Sequence, residues 1–208
     1  MNSAEYSEKT VAFSGGSKAY LTIKRIFDLV FAILASALLF APMLIVAVLI
    51  KLDSPGPAIF TQKRVGKCGK EFTIYKFRTM YVGSPNNVAA YKLDGLKRYV
   101  TKTGAILRRT SIDELPQLWN IIRGDMSFVG YRPISTAEKS INERRRSAGV
   151  FVLRPGITGL AQINGRDDIT EEEKVRCDAK YVSECSLKTD VYCLVKTVSA
   201  VISGRGSN

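Results

Sequence analysis

Two carboxylates stand side by side in the stretch TSIDELPQLWN, at Asp113 and Glu114. The chain has no histidine, which excludes Ser-His-Asp and Cys-His nucleophiles and any histidine general base. Chemistry would therefore fall to other groups, and a carboxylate can act as a nucleophile or hold a divalent cation. Ser111 and Glu114 also match a helix capping box, and Asp113 is a second candidate cap. Capping is the commoner role for such residues, and both roles fit this local pattern.

The charge balance points to an anionic partner. The 208-residue chain carries a formal net charge of +12. Nucleic acid, acidic lipid headgroups and a phosphorylated substrate all fit that charge. The cysteines form no C-x-x-C pair, so neither a zinc knuckle nor a redox dithiol is indicated, and we expect reduced, structural thiols.

One segment is apolar enough to enter a membrane. Residues 29–50 contain 22 positions without a charge, which at about 1.5 Å per residue could cross a bilayer core. Basic residues flank both of its ends, as expected if both ends lie on the cytoplasmic side. Pro42 lies beyond the midpoint and removes a helical hydrogen bond. Re-entry with a bend at Pro42 and complete spanning both fit these features, whereas residues 1–18 are typical of a flexible tail.

The remaining chain has the patterns of a compact α+β domain. Alternating residues at 58–65 and 71–80 predict a β-hairpin, and the apolar spacing at 115–122 predicts a short amphipathic helix ending near Gly124. A second amphipathic stripe begins after Asp190. We expect it to pack on the core, with the membrane surface as the alternative. Its members are Val191, Leu194, Val195, Val198, Val201 and Ile202.

Basic residues recur in the hairpin and in two loops. Lys76 and Arg78 share one strand face, and Arg64 lies on the partner strand. They predict either a solvated sheet edge or a phosphate-facing patch. The loops at 124–133 and 154–166 place arginines beside glycines, as a phosphate site requires. The arginine run at 144–146 is interpreted as a solvated helix face.

The ordered motifs resemble those of the bacterial sugar transferases, in their small monotopic phosphoglycosyl transferase form. The similarity runs from about Tyr20 to the C-terminus. The motifs are KRIFD, an apolar segment with a central proline, SPGPAIFTQKR, YKFRTM, TSIDELPQLWN, GDMSFVGYRP and RPGITGLAQINGR. The resemblance implies three parts: residues 1–18 as a flexible tail, 19–51 as a re-entrant membrane helix broken near Pro42, and 52–208 as a cytosolic catalytic domain. That domain would be mostly helical, with a small β-hairpin and amphipathic interfacial helices.

The resemblance also implies an activity and a location. Such enzymes transfer a phosphosugar from a UDP-sugar to polyprenyl (undecaprenyl) phosphate and release UMP, at the cytoplasmic face of the bacterial inner membrane. This is the first membrane step of capsule, O-antigen or glycoprotein glycan synthesis. We expect an N-acetylated deoxyamino sugar, and the resemblance also allows a homodimer. No nucleic acid is expected as a partner.

By similarity, Asp113 would be the nucleophile that carries a covalent phosphosugar, and Glu114 would help it hold an essential Mg²⁺. The residues implied to bind substrate are Arg64, Lys76, Arg108, Arg132, Arg154, Gln162 and Arg166. The chain departs from the family pattern at Ala41, Tyr131 and Leu160, where serine, proline and tryptophan are usual. A membrane-tethered nucleic-acid-binding protein and a non-catalytic scaffold of the same fold are the rival interpretations.

Overall fold

The computed structural model of the protein describes residues 16–84, 96–165 and 169–202. Its first element is one long helix, α1, over Lys18–Asp53. Ser17 begins it, since its side chain accepts a hydrogen bond from the Tyr20 N–H at 3.1 Å. The predicted tail lies almost wholly outside the described residues. By length and composition, α1 is the one helix among the described residues that could cross a membrane.

The helix continues through Pro42. The interruption that we expected near this residue is therefore not seen, and a re-entrant course through a membrane stays a prediction. One row of α1 side chains packs on the rest of the protein, and the other faces are largely exposed. The packed row consists of Ala32, Ala35, Leu39, Met43, Val46, Ala47 and Ile50.

Both ends of α1 are fastened to the same globular body. Near the start, the Arg25 guanidinium donates to the Ile121 carbonyl at 2.7 Å, and Asp28 accepts from the Phe128 N–H at 3.1 Å. Near the end, Asp53 accepts from the Thr103 N–H at 2.9 Å.

The predicted hairpin is confirmed. Strands β1 (Ile59–Val65) and β2 (Glu71–Phe77) pair antiparallel, with Ile59 opposite Phe77. A 3₁₀ turn at Lys67–Gly69 joins them, with Cys68 in the left-handed region at φ 56°. Phe72 and Ile74 are buried under α1, which anchors β2 to that helix.

The helices that follow frame the hairpin. A 3₁₀ turn at Leu96–Tyr99 precedes α2 (Lys102–Thr110), and a 3₁₀ turn at Ile112–Glu114 leads into α3 (Gln117–Arg123). The predicted helix is confirmed, and Gly124 ends it at φ 89°. Its buried face differs from the predicted one, because Trp119 is 55% exposed whereas Ile121 is fully buried.

A short parallel pair brings the two predicted loops together. Strand β3 (Ser127–Val129) pairs with β4 (Gly156–Thr158). A Cβ on Gly156 would lie 2.1 Å from the Gly130 nitrogen, so only glycine permits this approach. Helix α4 (Lys139–Ser147) and the 3₁₀ turn Val150–Val152 lie between these strands in the chain. Helices α5 (Leu160–Ile163), α6 (Glu171–Glu184) and α7 (Leu187–Ile202) follow β4.

The last helix corrects the expected packing of its apolar stripe. In α7 the buried side chains are Asp190 and Cys193, whereas Val191, Leu194 and Val195 are 49%, 41% and 63% exposed. Asp190 is buried because it accepts hydrogen bonds from Tyr20 and Tyr181 and pairs with Lys24. The stripe from Val191 to Val198 therefore faces outward instead of packing on the core, and the side chains of Val201 and Ile202 lie outside the described residues.

Burial separates the cysteines into reactive and inert groups. Cys68 is exposed, whereas Cys185 and Cys193 are buried. Burial, helped by the nearby charge of Asp190, raises the pKa of each buried thiol to about 11. We predict that a maleimide at pH 7.5 modifies Cys68 quickly and these two only after denaturation, because the thiolate is the reactive form. Mass spectrometry of timed samples measures the rate of modification at each cysteine. As a control, a Cys68→Ser variant should lose the fast phase. Rapid modification of Cys193 in the native protein would contradict the packing.

Candidate active site

The two adjacent carboxylates lie in the 3₁₀ turn Ile112–Glu114, between α2 and α3. Ser111 precedes them at φ 57°, in the left-handed region, and makes no side-chain cap. Pro116 occupies the N-cap of α3, also without a side-chain cap. Both capping interpretations were therefore wrong. The helix does not use the carboxylates to begin, which leaves the turn to present them to other groups.

Glu114 is the buried centre of a charged cluster. Its Oε1 accepts a hydrogen bond from Lys76 Nζ at 2.7 Å, and an Arg132 guanidinium nitrogen lies 3.6 Å from the same atom. The Glu114 side chain is only 8% exposed. Burial lowers the pKa of Lys76, while the charges of Glu114 and Asp113 oppose that shift. These contacts join β2, the turn Ile112–Glu114 and the loop after β3.

Two further arginines border this cluster. Arg64 donates to the Pro133 carbonyl at 3.2 Å, and burial, with the nearby Arg132 charge, lowers its pKa to about 10. Arg108 donates from Nε to Thr79 Oγ1 at 2.9 Å, and burial lowers its pKa against the opposing charge of Asp113. Both groups are still cationic at neutral pH.

A small cleft opens over the cluster. Its wall includes Arg64, Lys76, Glu114, Gln117, Arg132 and Gly156. Among the described residues, the wall holds three basic side chains and one carboxylate, and the charge of Asp113 acts on both Lys76 and Arg108 beside it. This excess of positive charge suits a phosphate or diphosphate group.

The structure does not bring all of the predicted residues together. Arg154 donates to the Gly124 carbonyl at 2.8 Å and lies in a separate cleft with Lys24, Arg25 and Asp28. Gln162 is absent from the wall of the Glu114 cleft, and its amide lies next to Gly159. Arg166 lies outside the described residues. Of the described residues, the cluster therefore contains Asp113, Glu114, Arg64, Lys76, Arg108 and Arg132.

Sequence reasoning missed or misplaced three residues. Gln117 lines the cleft, and within the described part of the chain its buried Nε2 has no hydrogen-bond partner. Its spacing three residues after Glu114 is the signal that could have found it. Arg78 does not face the cleft, because its guanidinium donates to the Ser54 carbonyl at 2.7 Å and to the Pro55 carbonyl at the end of α1. Arg145 is buried instead of solvated, at 1% exposure.

The sequence matches a known protein family. Residues 19–204 match the family model described as bacterial sugar transferase, and the chain belongs to that family. This confirms the resemblance found in the motifs.

Three relatives are similar over most of the chain. A UDP-glucose:undecaprenyl-phosphate glucose-1-phosphate transferase from Caulobacter vibrioides is 44% identical, over 86% of this chain and 70% of the relative. A UDP-N-acetylgalactosamine-undecaprenyl-phosphate N-acetylgalactosaminephosphotransferase from Aeromonas hydrophila is 39% identical, over 92% of this chain. The exopolysaccharide production protein ExoY from Rhizobium meliloti is 42% identical, over 88% of this chain and 87% of its own length. The chain spans 46% of the Aeromonas protein.

The Lys76–Glu114 pair should be costly to break from one side. Lys76→Met leaves a buried carboxylate without its closest cation, so we predict a loss of about 3 kcal/mol in the free energy of unfolding. Adding Glu114→Gln to that variant should recover part of the loss, since the uncompensated charge is then gone. Denaturant unfolding in detergent micelles measures both changes.

A matched control uses an exposed pair. Arg123 pairs with Asp125 at 3.4 Å and is 51% exposed, so Arg123→Met should change stability by about 0.5 kcal/mol or less. Equal losses of unfolding free energy in Lys76→Met and Arg123→Met would contradict the difference in burial between the two ion pairs.

Proposed function

We propose that this protein transfers a phosphosugar from a UDP-sugar to polyprenyl phosphate, with release of UMP. The carrying observation is the pair Asp113-Glu114 beside a cleft lined by Glu114 and three basic side chains, on a body fastened to an apolar helix. A basic cleft suits the diphosphate, and the helix suits a lipid substrate. The names of two relatives, from Caulobacter and Aeromonas, support a UDP-sugar donor and an undecaprenyl-phosphate acceptor.

Asp113 is the proposed nucleophile. Its carboxylate forms a bond to the phosphorus that bears the sugar, and the bond from that phosphorus to the bridging oxygen breaks, so that UMP leaves. A phosphate oxygen of the polyprenyl lipid then attacks the same phosphorus, and the bond to Asp113 breaks. Covalent catalysis by a carboxylate needs no histidine base, in agreement with the composition.

The basic side chains stabilise charge that develops during both steps. Arg132 and Lys76 lie beside Glu114 and point positive charge at the cleft. Arg108, next to Asp113, and Arg64, on the far wall, are placed to contact further phosphate oxygens. Preorganised cations in a partly dehydrated site contribute more than the same charges in water.

Magnesium fits the donor set. Mg²⁺ takes one or two protein carboxylates and completes its shell with phosphate oxygens and water. Asp113 and Glu114 are the carboxylates that would hold it, and no cluster of three or more His, Cys, Asp or Glu side chains occurs in the described ranges. Bound there, the ion would neutralise charge on the diphosphate.

The attachment of α1 supports a membrane helix whose ends share one side. Arg25 and Asp28 near its start, and Asp53 at its end, all bind the same globular body. A helix crossing the bilayer would place those ends on opposite sides. We therefore propose that α1 enters the cytoplasmic leaflet and does not span, so that the protein is monotopic.

Exposed apolar side chains extend this surface beyond α1. They include Trp119 on α3 and the outward stripe of α7, with Val195 and Val198 at 63% and 57% exposure. Amphipathic helices of this kind insert their apolar face at the boundary between headgroups and acyl chains. We propose that α7 lies on the membrane. The N-acetylated sugar and a homodimer also stay proposals.

The direct test is UMP release from a panel of UDP-sugars, with polyprenyl phosphate and Mg²⁺. We expect Asp113→Asn to lower turnover by at least about 1,000-fold, because the covalent route is lost. Asp125→Asn is the matched control, since Asp125 lies outside the cleft, and it should keep turnover within about twofold of wild type.

Unchanged turnover in Asp113→Asn would overturn the covalent route. Salt-sensitive nucleic-acid binding without UMP release would favour the nucleic-acid interpretation. Absence of both would favour a non-catalytic scaffold.

Topology has its own test. The reporter cysteines are placed at Ala19 and Pro57, on either side of α1, because both positions are exposed whereas Ser54, directly after the helix, is buried. The background lacks Cys68 and Cys177. We expect an impermeant maleimide to leave both unlabelled in intact spheroplasts and to label both after permeabilisation. Labelling of only one position in intact spheroplasts would show that α1 spans the bilayer.

A further inference from the structure

The loop that carries Arg132 is held by an unbroken row of accepted hydrogen bonds. Each carbonyl from residue 131 to residue 134 accepts a bond, and the four donors come from three elements, β1, α4 and β4. The donors are the Gly156 N–H to Tyr131 at 2.8 Å, Arg145 to Arg132 at 2.7 Å, Arg64 to Pro133 at 3.2 Å and the Val65 N–H to Ile134 at 3.2 Å. Two of the four donors are backbone groups. Of the two side-chain donors, Arg64 belongs to the cleft and Arg145 comes from outside it.

Arg145 reaches the loop from a fully buried position. It lies in α4, and its guanidinium pairs with Asp178 of α6 at 2.5 Å, with both side chains 1% exposed. One terminal nitrogen meets the carboxylate and the other donates to the Arg132 carbonyl. A planar guanidinium reaches the two partners from two separate nitrogens in a fixed fork, whereas an ammonium presents its three donors from a single atom.

Tyr131 completes the packing around this arginine. Its ring lies 5.6 Å from the Arg145 guanidinium carbon and 5.5 Å from the Phe151 ring, in an edge-to-face arrangement. The residue before Arg132 is thus fixed by its side chain as well as by its carbonyl. Arg132 therefore has a rigid backbone on both sides while its own guanidinium extends to Glu114.

We infer that Arg145 and Asp178 are positioning residues for Arg132. This inference rests on the proposed function, because it assigns Arg132 to the reacting phosphates. A buried ion pair stabilises a fold little better than apolar residues of the same volume, so stability alone does not require one here. A displacement of about 1 Å at a catalytic group can cost about 100-fold in rate. The buried pair acts on the rate through the Arg132 carbonyl.

A double-mutant cycle separates positioning from general stability. Arg145→Lys keeps the positive charge and removes the guanidinium group, whose two terminal nitrogens contact Asp178 and the Arg132 carbonyl. We expect it to lower kcat/KM for UMP release by about tenfold in the wild-type background, and by less than about twofold in Arg132→Lys, where the positioned group is already impaired. Equal losses in the two backgrounds would overturn the inference, as would an unchanged kcat/KM in the wild-type background.

The neighbouring Arg144 provides the matched control. It belongs to the same helix and pairs with Glu172, but its side chain is 47% exposed. Arg144→Lys should leave kcat/KM unchanged in both backgrounds. Should Arg145→Lys fail to fold, Asp178→Asn keeps the side-chain shape and leaves Arg145 present, and the same pattern of unequal losses is expected from it.

A second readout does not depend on the reaction. Hydrogen exchange of the Gly156 and Val65 amides reports the loop directly, because these amides donate to the Tyr131 and Ile134 carbonyls. We expect at least about tenfold faster exchange at both in Arg145→Lys and no change in Arg144→Lys. Unchanged exchange would contradict the positioning role. If wild type releases no UMP, the proposed function fails, and the exchange result still decides whether Arg145 fixes the loop.

Discussion

The contact between Lys76 and Glu114 is the constraint on which the rest of the structure depends. It joins the hairpin strand β2 to the turn that carries Asp113, through a mostly buried hydrogen bond of 2.7 Å. Two residues further along the chain, Arg78 binds carbonyls at the end of α1. One short stretch of chain thus connects the apolar helix to the carboxylates. Chemistry on a lipid phosphate requires such a connection, because the reacting groups must be held at a fixed depth relative to the bilayer.

The site combines opposite electrostatic requirements. A carboxylate nucleophile attacking a diphosphate brings negative charges together, which costs free energy unless cations are present. Arg64, Lys76, Arg108 and Arg132 supply those cations, and burial lowers the pKa of the first three. The charge of Glu114 opposes that shift at Lys76, and its carboxylate brings Lys76 and Arg132 close together. Part of the chain's net charge of +12 therefore lies where a phosphorylated substrate would bind.

Sequence reasoning predicted the local elements better than the long-range contacts between them. The hairpin and the helix that begins within TSIDELPQLWN follow from periodicity and turn residues, and both are present. The caps assigned to Ser111 and Asp113 were wrong because the chain enters the left-handed region at Ser111, which a residue pattern does not reveal. The thirteen-residue separation between Arg145 and the carbonyl it binds is equally invisible in a run of three arginines.

The apolar stripe of α7 shows a further limit of sequence reasoning. Its spacing is the same whether the stripe packs on a core or on lipid, and only the long-range contacts of Asp190 turn that helix so that the stripe faces outward. Arg64, Lys76 and Arg132 stand in motifs of their own and were predicted through the family resemblance, whereas Gln117 shares the motif of the carboxylates and was missed. Arg154 lies in a different cleft from Glu114, which the sequence could not reveal because motif order does not fix distance in space.

The central claim is that Asp113 bonds covalently to phosphorus. Its most direct test is incubation of the enzyme with UDP-sugar and Mg²⁺ without any lipid acceptor, followed by mass analysis of the quenched protein. The account predicts a burst of about one UMP per active site and a sugar-phosphate adduct on the peptide that contains Asp113. A UMP burst that requires the lipid acceptor, or an adduct on another residue, would contradict it.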